Sequence, residues 1–278
     1  MGITLDELRI ISGRERFGMP IIEKDYLITQ LLFLLKDVKG ILFKGGTAIN
    51  KIFLNHTRLS EDLDFTLTRD IKEVETKIKE KLSGTIFDKI SLGKDVEGFL
   101  RLVVHYKLFH EPGNIFIDLT QRAKPFLKPE KYLIDHFYKD KFPPFYISCL
   151  NKEEMFAEKL RATIERCKPR DYLDLYNLIK SGNSINLEIT KRKLESTGKK
   201  FDIKSVFKNT NKVFRIWKKD LAVITREEIS FHKVISFLAK YFKLKEIKDS
   251  EKKSKASFKP GDALVASSKK GEIKLRRK

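Results

Sequence analysis

The sequence predicts an α+β fold in which a lobe built on a mixed β-sheet is followed by a helical lobe. Residues 41–120 break into short apolar segments bounded by Gly, Pro and Asn, which is typical of strands. After residue 151 the apolar residues recur every three or four positions, which indicates amphipathic helices. With 278 residues, 41% of them hydrophobic, the chain is long enough to bury a core in each lobe.

The first part of the chain predicts two helices. Thr4 and Glu7 have the spacing of a capping box for a short helix. A longer helix is expected to begin at Pro20 and to end at Lys39-Gly40. Glu23 and Asp25 lie near its start, where acidic residues suit the helix dipole, and this is the interpretation that we favour for them.

The stretch from Ile41 to Thr68 predicts a strand, a glycine turn, a helix and a second strand. Gly45-Gly46 follows an apolar run and precedes a helix for which Thr47 is the expected N-cap. Backbone N–H groups at such a helix start can bind phosphate. A Gly-Gly pair alone is more often only a turn.

Asp62 and Asp64 are two residues apart on the second of these strands, so their side chains are expected to point to one face. Two carboxylates held close together repel unless a cation neutralises them, and carboxylate plus phosphate oxygens are the ligands that Mg²⁺ prefers. An Asp-x-Asp pair alone is also common on solvated strand ends. Together with the preceding glycine turn, the pair favours a metal-dependent phosphate site.

A third carboxylate is a candidate for the same site. Further strands are predicted over Thr85–Leu92, Phe99–Phe109 and Asn114–Thr120, and Asp118 lies among apolar neighbours in the last of them. An acidic side chain buried without a partner is costly. Asp118 is therefore either a third metal ligand beside the Asp62 and Asp64 pair or a strand-end residue in solvent.

The chain is predicted to divide after this sheet. We expect a core lobe over 1–122, an irregular connection over 123–150 that contains four prolines, a helical lobe over 151–242 and a tail over 243–278. The tail has 13 Lys or Arg and 5 Asp or Glu, a composition that is typical of disorder. It could bind polyanions or only increase solubility.

The first helix of the second lobe carries Lys159, Thr163 and Arg166 on one stripe, and Lys168-Pro169-Arg170-Asp171 forms a turn directly after it. A charged stripe on a helix is ordinarily a solvated face. The alternative is a cationic surface that holds a triphosphate. The sequence leaves both interpretations open.

The composition indicates which classes of partner the protein binds. A formal net charge of +20 and a pI near 9.7 favour a polyanionic partner such as nucleic acid, although a Lys-rich composition can also reflect an AT-rich genome or a thermophile. No apolar stretch is long enough for a membrane span, and no signal peptide is evident, so we expect a cytoplasmic protein without a membrane partner. Cys149 and Cys167 are too few for a disulfide framework and are expected to be buried thiols.

Four motifs occur in order between Pro20 and Lys180: EKDY, GGTAINK, SEDLDF and AEKLRATIERCKPRDYLDLY. In these motifs the chain resembles the AbiEii/AbiGii toxin family of nucleotidyltransferases. The resemblance implies a nucleotidyltransferase-like fold and the toxin of a type IV toxin–antitoxin or phage-defence pair. It also implies an antitoxin that acts as a DNA-binding regulator, and tRNA as acceptor. It further implies functional roles for Lys159 and Asp171, less firmly for Arg170, and a position of Lys24 near the active cleft.

The expected reaction is Mg²⁺-dependent transfer of a nucleoside monophosphate from an NTP to RNA. Alternatives are transfer to a small molecule, which the positive charge disfavours for a cationic acceptor, and a catalytically inactive nucleic-acid-binding protein. The expected metal ligands are Asp62, Asp64 and Asp118. The catalytic set is completed by Lys159, which would neutralise the triphosphate or the leaving group, and by Asp171, which would orient Lys159, Arg170 or the acceptor. The expected nucleotide contacts are Gly45, Gly46, Thr47, Lys51, Ser60 and Arg170.

Overall fold

The fold is organised around a mixed β-sheet, as the sequence predicts. The structure is a computed structural model that describes residues 2–122, 124–243, 264–269 and 272–277. Within those residues, seven strands form one sheet in the order β3-β4-β5-β2-β1-β7-β6. The strands are β1 (Ile41–Lys44), β2 (Asp62–Leu67), β3 (Ile90–Val96), β4 (Phe99–Tyr106), β5 (Gly113–Thr120), β6 (Glu130–Leu133) and β7 (Tyr146–Cys149).

The first two helices lie close to their predicted positions. Thr4 caps the first helix with Glu7 in the predicted capping box. In the second half of the chain, a 3-10 helix (Ile203–Phe207) precedes a separate α-helix. The α-helices are α1 (Leu5–Glu15), α2 (Met19–Leu35), α3 (Gly45–Ile52), α4 (Ile71–Leu82), α5 (Lys152–Arg166), α6 (Pro169–Lys180), α7 (Leu187–Glu195), α8 (Thr210–Leu221) and α9 (Phe231–Tyr241).

Strand β2 lies at the centre of the sheet, antiparallel to β1 and parallel to β5. Its residues alternate in burial: Leu63 and Phe65 are fully buried, whereas Asp62 and Asp64 are half-buried. Because successive side chains of a strand point to opposite faces, the apolar residues fill the core and both carboxylates face the other side. The predicted orientation of the two aspartates follows from this burial pattern.

The segment 123–150 differs from the irregular connection that we expected. It contributes β6 and β7, and β7 extends the sheet by pairing in parallel with β1. Its four prolines flank the two strands and do not lie within them, so they interrupt no ladder of hydrogen bonds. Proline content alone therefore gave the wrong interpretation of this segment.

The chain divides into two compact units. One comprises Met1–Met155 with Val223–Arg226, and the other comprises Phe156–Ala222 with Glu227–Lys278. The first unit contains the whole seven-stranded sheet, and the second contains α6 to α9. The division falls within α5, later than the boundary over 123–150 that the prolines indicated.

The predicted tail lies in part outside the described residues, which omit 244–263. Two strands are described within it, β8 (Leu264–Lys269) and β9 (Glu272–Arg277), and they form an antiparallel pair. This differs from the disorder that we expected for the whole tail. Ile273 and Leu275 alternate with charged residues in the sequence, which is a strand pattern. A count of charged residues over the whole tail does not detect this alternation.

Both cysteines are buried free thiols, as expected. Among the described residues, no helix is long and apolar enough to cross a membrane.

We predict that His136 makes the stability of the first unit depend on pH. The ring is 2% exposed, stacks on Phe145 and accepts a hydrogen bond from the Tyr138 backbone N–H at 3.2 Å. Burial lowers the pKa of His136 from 6.5 to about 4. The unfolded chain therefore binds a proton that the folded chain excludes, and the free energy of unfolding should decrease as the pH falls from about 6.5 to about 4.

Denaturant titrations across this pH range would measure the effect. His136→Gln keeps a polar group but cannot titrate, so it should reduce the slope by up to about 1.4 kcal/mol per pH unit. An unchanged slope in His136→Gln would contradict the assignment.

Candidate active site

Four charged side chains form a line across neighbouring strands of the sheet. In the strand registers, Lys44 of β1 lies opposite Asp64 of β2, Asp64 lies opposite Asp118 of β5, and Asp118 lies opposite Arg101 of β4. Residues opposite each other in paired strands project to the same face. We call Lys44, Asp64, Asp118 and Arg101 the charged row. Asp62 lies two residues before Asp64 and faces the same side.

Gly45 brings the glycine turn against the Asp64 carboxylate. Its φ is +81°, a conformation that L side chains rarely adopt. A Cβ atom built on Gly45 would lie 2.1 Å from Asp64 Oδ2 and 2.9 Å from Asp64 Cβ. The backbone can pass this close to Asp64 because residue 45 has no side chain. The structure thus brings together the glycine turn and the aspartates that the sequence singled out.

Helix α3 begins at Gly45, so the prediction that Thr47 caps it is wrong. Lys44 occupies the N-cap position and makes no side-chain cap. Thr47 is 2% exposed, and its hydroxyl donates to the Asp62 backbone carbonyl at 2.5 Å. Thr47 therefore joins the start of α3 to the start of β2. The N–H groups of the first helical turn, including those of Gly45 and Gly46, have no partner within the helix. Ser60 is half-buried before β2.

Asp118 is held by an arginine that the sequence analysis did not single out. Arg101 Nε and Nη2 donate to the two carboxylate oxygens of Asp118, each at 2.7 Å. These hydrogen bonds raise the pKa of Arg101 above its usual value. Asp118 is therefore not a solvated strand end, and its alternative role as a third metal ligand stays a prediction. Only the strand register identifies Arg101 and Lys44, because both are distant from the aspartates in sequence.

The structure places Lys51 in the interior. Its side chain is 2% exposed, and the ammonium lies 2.7 Å from Asp25 Oδ1 and 3.0 Å from Thr29 Oγ1. Asp25 is equally buried and accepts a further hydrogen bond from the Tyr138 hydroxyl at 3.1 Å. This buried ion pair joins α3 to α2, and no nucleotide can reach its ammonium. We therefore omit Lys51 from the proposed nucleotide contacts.

The acidic residues of α2 do not serve the helix dipole as we expected. The first turn of α2 contains no acidic residue, and Glu23 and Asp25 are both buried. Glu23 accepts hydrogen bonds from the His110 ring and from the Phe109 backbone N–H, which holds the β4–β5 loop. Lys24, the residue between them, reaches Glu61 with an N–O distance of 3.2 Å. This contact links α2 to the segment that precedes Asp62.

The second unit contains a buried ion cluster around Lys159. The Lys159 ammonium lies 3.0 Å from Asp171 Oδ1 and 2.9 Å from Asp174 Oδ2, and all three side chains are at most 4% exposed. Arg166 adds a contact of 2.9 Å to Asp171. Burial raises the pKa of Asp171, but the positive charges of Lys159 and Arg166 outweigh it, so the pKa lies below its usual value. Asp171 is thus ionised at neutral pH.

This cluster excludes the solvated-face alternative for Lys159 and Thr163, because both side chains are buried. Lys159, Asp171 and Asp174 join α5 to α6 as a charged core. Thr163 of the same stripe is fully buried and donates to the Lys159 carbonyl. Arg170 is half-buried at the start of α6, and its contact with the nucleotide stays a prediction.

The residues on the sheet face suit a divalent metal ion. Asp62 and Asp64 offer carboxylate oxygens from one face of one strand, and Mg²⁺ in nucleotide sites is commonly bound by one or two carboxylates together with substrate phosphates. Throughout the described residues, no three His, Cys, Asp or Glu side chains form a group that could hold a metal ion. Asp62 and Asp64 would leave the remaining positions around such an ion to phosphate oxygens of a substrate.

Comparisons with known proteins give a family match and similar folds. A family model described as nucleotidyl transferase AbiEii toxin, type IV TA system, matches residues 30–249. The nucleotidyltransferase toxin MenT4 from Mycobacterium tuberculosis has a similar structure, with a TM-score of 0.64 and 20% identity over 86% of this chain and 90% of that chain. JHP933 from Helicobacter pylori has a TM-score of 0.54 and 20% identity over 82% and 92%. No curated protein matches the chain.

We predict that Gly45→Ala disturbs both the turn and Asp64. A Cβ at residue 45 would require the Asp64 side chain to move, in addition to the strain of a positive φ. Gly84→Ala is a matched control, since Gly84 has a φ of +71° but a Cβ there meets nothing within 4 Å.

Denaturant titration should separate the two effects. We expect Gly84→Ala to lower the free energy of unfolding by about 1 kcal/mol from backbone strain, and Gly45→Ala by about 2–4 kcal/mol. Equal losses in the two variants would show that the contact with Asp64 costs nothing.

We predict that Lys159→Met destabilises the protein, because it leaves the carboxylates of Asp171 and Asp174 buried without their common cation. Removing one partner of a buried ion pair typically costs about 3–5 kcal/mol. Lys191→Met, at an exposed position of α7, should change the free energy of unfolding by less than about 0.5 kcal/mol. If Lys159→Met unfolds at the wild-type denaturant concentration, the ion cluster does not stabilise the fold.

Proposed function

Because the chain belongs to the AbiEii family of nucleotidyltransferase toxins of type IV toxin–antitoxin systems, we propose that its sheet face transfers a nucleoside monophosphate from an NTP to RNA. The single observation that carries the proposal is the juxtaposition of Asp62, Asp64 and the Gly45 turn. Two carboxylates project from one face of β2, and the Asp64 carboxylate lies against the N-terminus of α3. A cation site and a phosphate site are thereby adjacent.

The proposed roles follow from the chemistry of the reaction. The acceptor hydroxyl attacks the α-phosphorus, loses its proton, and pyrophosphate leaves. Asp62 and Asp64 would hold Mg²⁺, which when bound would neutralise charge on the phosphate oxygens. The N–H groups of Gly45 and Gly46 would donate to the phosphates at the N-terminus of α3. Thr47 positions the Asp62 backbone through its hydrogen bond, and Ser60 would line the mouth of the site.

The proposed acceptor is a polyanion. A net charge of +20 attracts nucleic acid and increases its rate of association, and it disfavours a cationic small molecule. Within this class we propose tRNA, as the family resemblance implies, with an antitoxin that acts as a DNA-binding regulator. A place in phage defence and a cytoplasmic location belong to the same proposal.

The proposal assigns roles to two residues of the ion cluster in the second unit, Lys159 and Asp171. Lys159 and Asp171 are proposed to be needed for activity through the buried ion pair that holds α5 against α6, with Asp171 orienting Lys159. A contact between Lys159 and the triphosphate, which the sequence led us to expect, is not proposed, because its ammonium is nearly as buried as that of Lys51. The contact of 3.0 Å between Lys159 and Asp171 supports the orienting role of Asp171. Arg170 is kept as a proposed nucleotide contact.

We predict that Asp64→Asn abolishes nucleotidyl transfer while the protein stays folded, because the amide keeps the shape of the side chain but loses the charge that binds a cation. The measurement is incorporation of label from each NTP into total RNA in the presence of Mg²⁺. We expect a loss of at least about 100-fold, and no transfer by the wild type after chelation of the metal. Asp140→Asn, at an exposed position, should retain full activity.

The same assay distinguishes the alternatives. Label on a small acceptor would favour small-molecule transfer, and an RNA mobility shift without label would favour an inactive binding protein. Label that is lost when tRNA is removed from the RNA would support tRNA as acceptor. Normal transfer by Asp64→Asn would refute the proposed site.

A further inference from the structure

Arg101 is held firmly beside the proposed metal ligands. Its guanidinium makes two hydrogen bonds of 2.7 Å to Asp118 and lies 4.8 Å from the centre of the Phe116 ring. A planar guanidinium that pairs with both oxygens of a carboxylate and also contacts an aromatic ring has little freedom to rotate. Arg101 is therefore a fixed positive charge on the face of the sheet that carries Asp62 and Asp64.

This pairing changes what Asp118 can bind. Asp118 is adjacent to Asp64 in the strand register, the position from which a third carboxylate would complete a site for a second ion. Both of its oxygens already accept hydrogen bonds from Arg101, and its side chain is only 15% exposed. A divalent ion at Asp118 would have to lie beside the guanidinium charge, and like charges at such short distance repel.

The charges on this face of the sheet also favour a single metal ion. This face carries three carboxylates, those of Asp62, Asp64 and Asp118, and two cationic side chains, those of Lys44 and Arg101, so one divalent ion already neutralises it. A second divalent ion would leave an excess of positive charge in the absence of nucleotide.

We propose that Arg101 takes the place of a second metal ion: it neutralises Asp118 and so confines metal binding to Asp62 and Asp64. Arg101 is a positioning residue in this scheme, since it acts through Asp118. The inference rests on the proposed function, because it assumes that Asp62 and Asp64 bind a metal ion.

Mn²⁺ binding to the full chain without nucleotide tests the inference, with bound ions counted by electron paramagnetic resonance. The wild type should bind one ion with high affinity. Arg101→Gln removes the charge and frees Asp118, so it should gain a second ion at least about tenfold tighter than any second wild-type site. Arg101→Lys, which keeps the charge, should bind one ion, and so should the double variant Arg101→Gln/Asp118→Asn. Arg69→Gln, an exposed arginine paired with Glu73, is the matched control and should match the wild type.

The outcomes separate this inference from the proposed function. Two ions in the wild type, or one ion in both the wild type and Arg101→Gln, would overturn the inference and leave the assignment of Asp62 and Asp64 standing. No ion in the wild type, either alone or with a non-hydrolysable NTP analogue, would overturn that assignment and the inference with it.

Asp118→Asn provides a second test that does not need Arg101→Gln to fold. If the hydrogen bonds from Arg101 keep Asp118 from binding the metal ion, the affinity of the single ion should be unchanged in Asp118→Asn. A loss of affinity of about tenfold or more would identify Asp118 as a metal ligand and overturn the inference.

Discussion

The register of β2 between β1 and β5 is the constraint on which the candidate active site depends. Leu63 and Phe65 must enter the core, and this requirement turns Asp62 and Asp64 to the opposite face. A slip of one residue would exchange the two sets, because side chains alternate along a strand. The same register sets Asp64 opposite the end of β1, where the chain turns into α3 at Gly45. The free energy of burying the core thus fixes the geometry of the polar face.

Charged residues in this chain serve two different purposes, and exposure distinguishes them. The pair of Asp25 and Lys51 is buried and joins two helices of the first unit, and the cluster around Lys159 joins two helices of the second. Such groups are costly to separate once buried, so they favour one arrangement of their helices. Asp62 and Asp64 are half-buried on an open face of β2, where binding a ligand requires no rearrangement of the core.

Local patterns in the sequence predict much of this site, whereas long-range pairing decides the rest. The turn at Gly45 and the face of Asp62 and Asp64 follow from residue type and from the period of a strand. The ion pair between Arg101 and Asp118 could not be predicted, since it depends on which strands become neighbours. The burial of Lys51 could not be predicted for the same reason. Its position in the GGTAINK motif favoured a nucleotide contact, and only the structure shows that it pairs with Asp25 of another helix.

The arrangement around Asp64 also couples cation binding to folding. Asp62, Asp64 and Asp118 bring negative charges onto one face, and Arg101 compensates the charge of Asp118 directly. Asp62 and Asp64 project from the same face of one strand and repel each other, since like charges at short distance disfavour the ionised pair. A cation that binds only the folded chain raises the free energy of unfolding. The increase grows with the logarithm of the ratio of the cation concentration to its dissociation constant. The features that destabilise the polar face on its own are therefore those that give it affinity for a positively charged ligand.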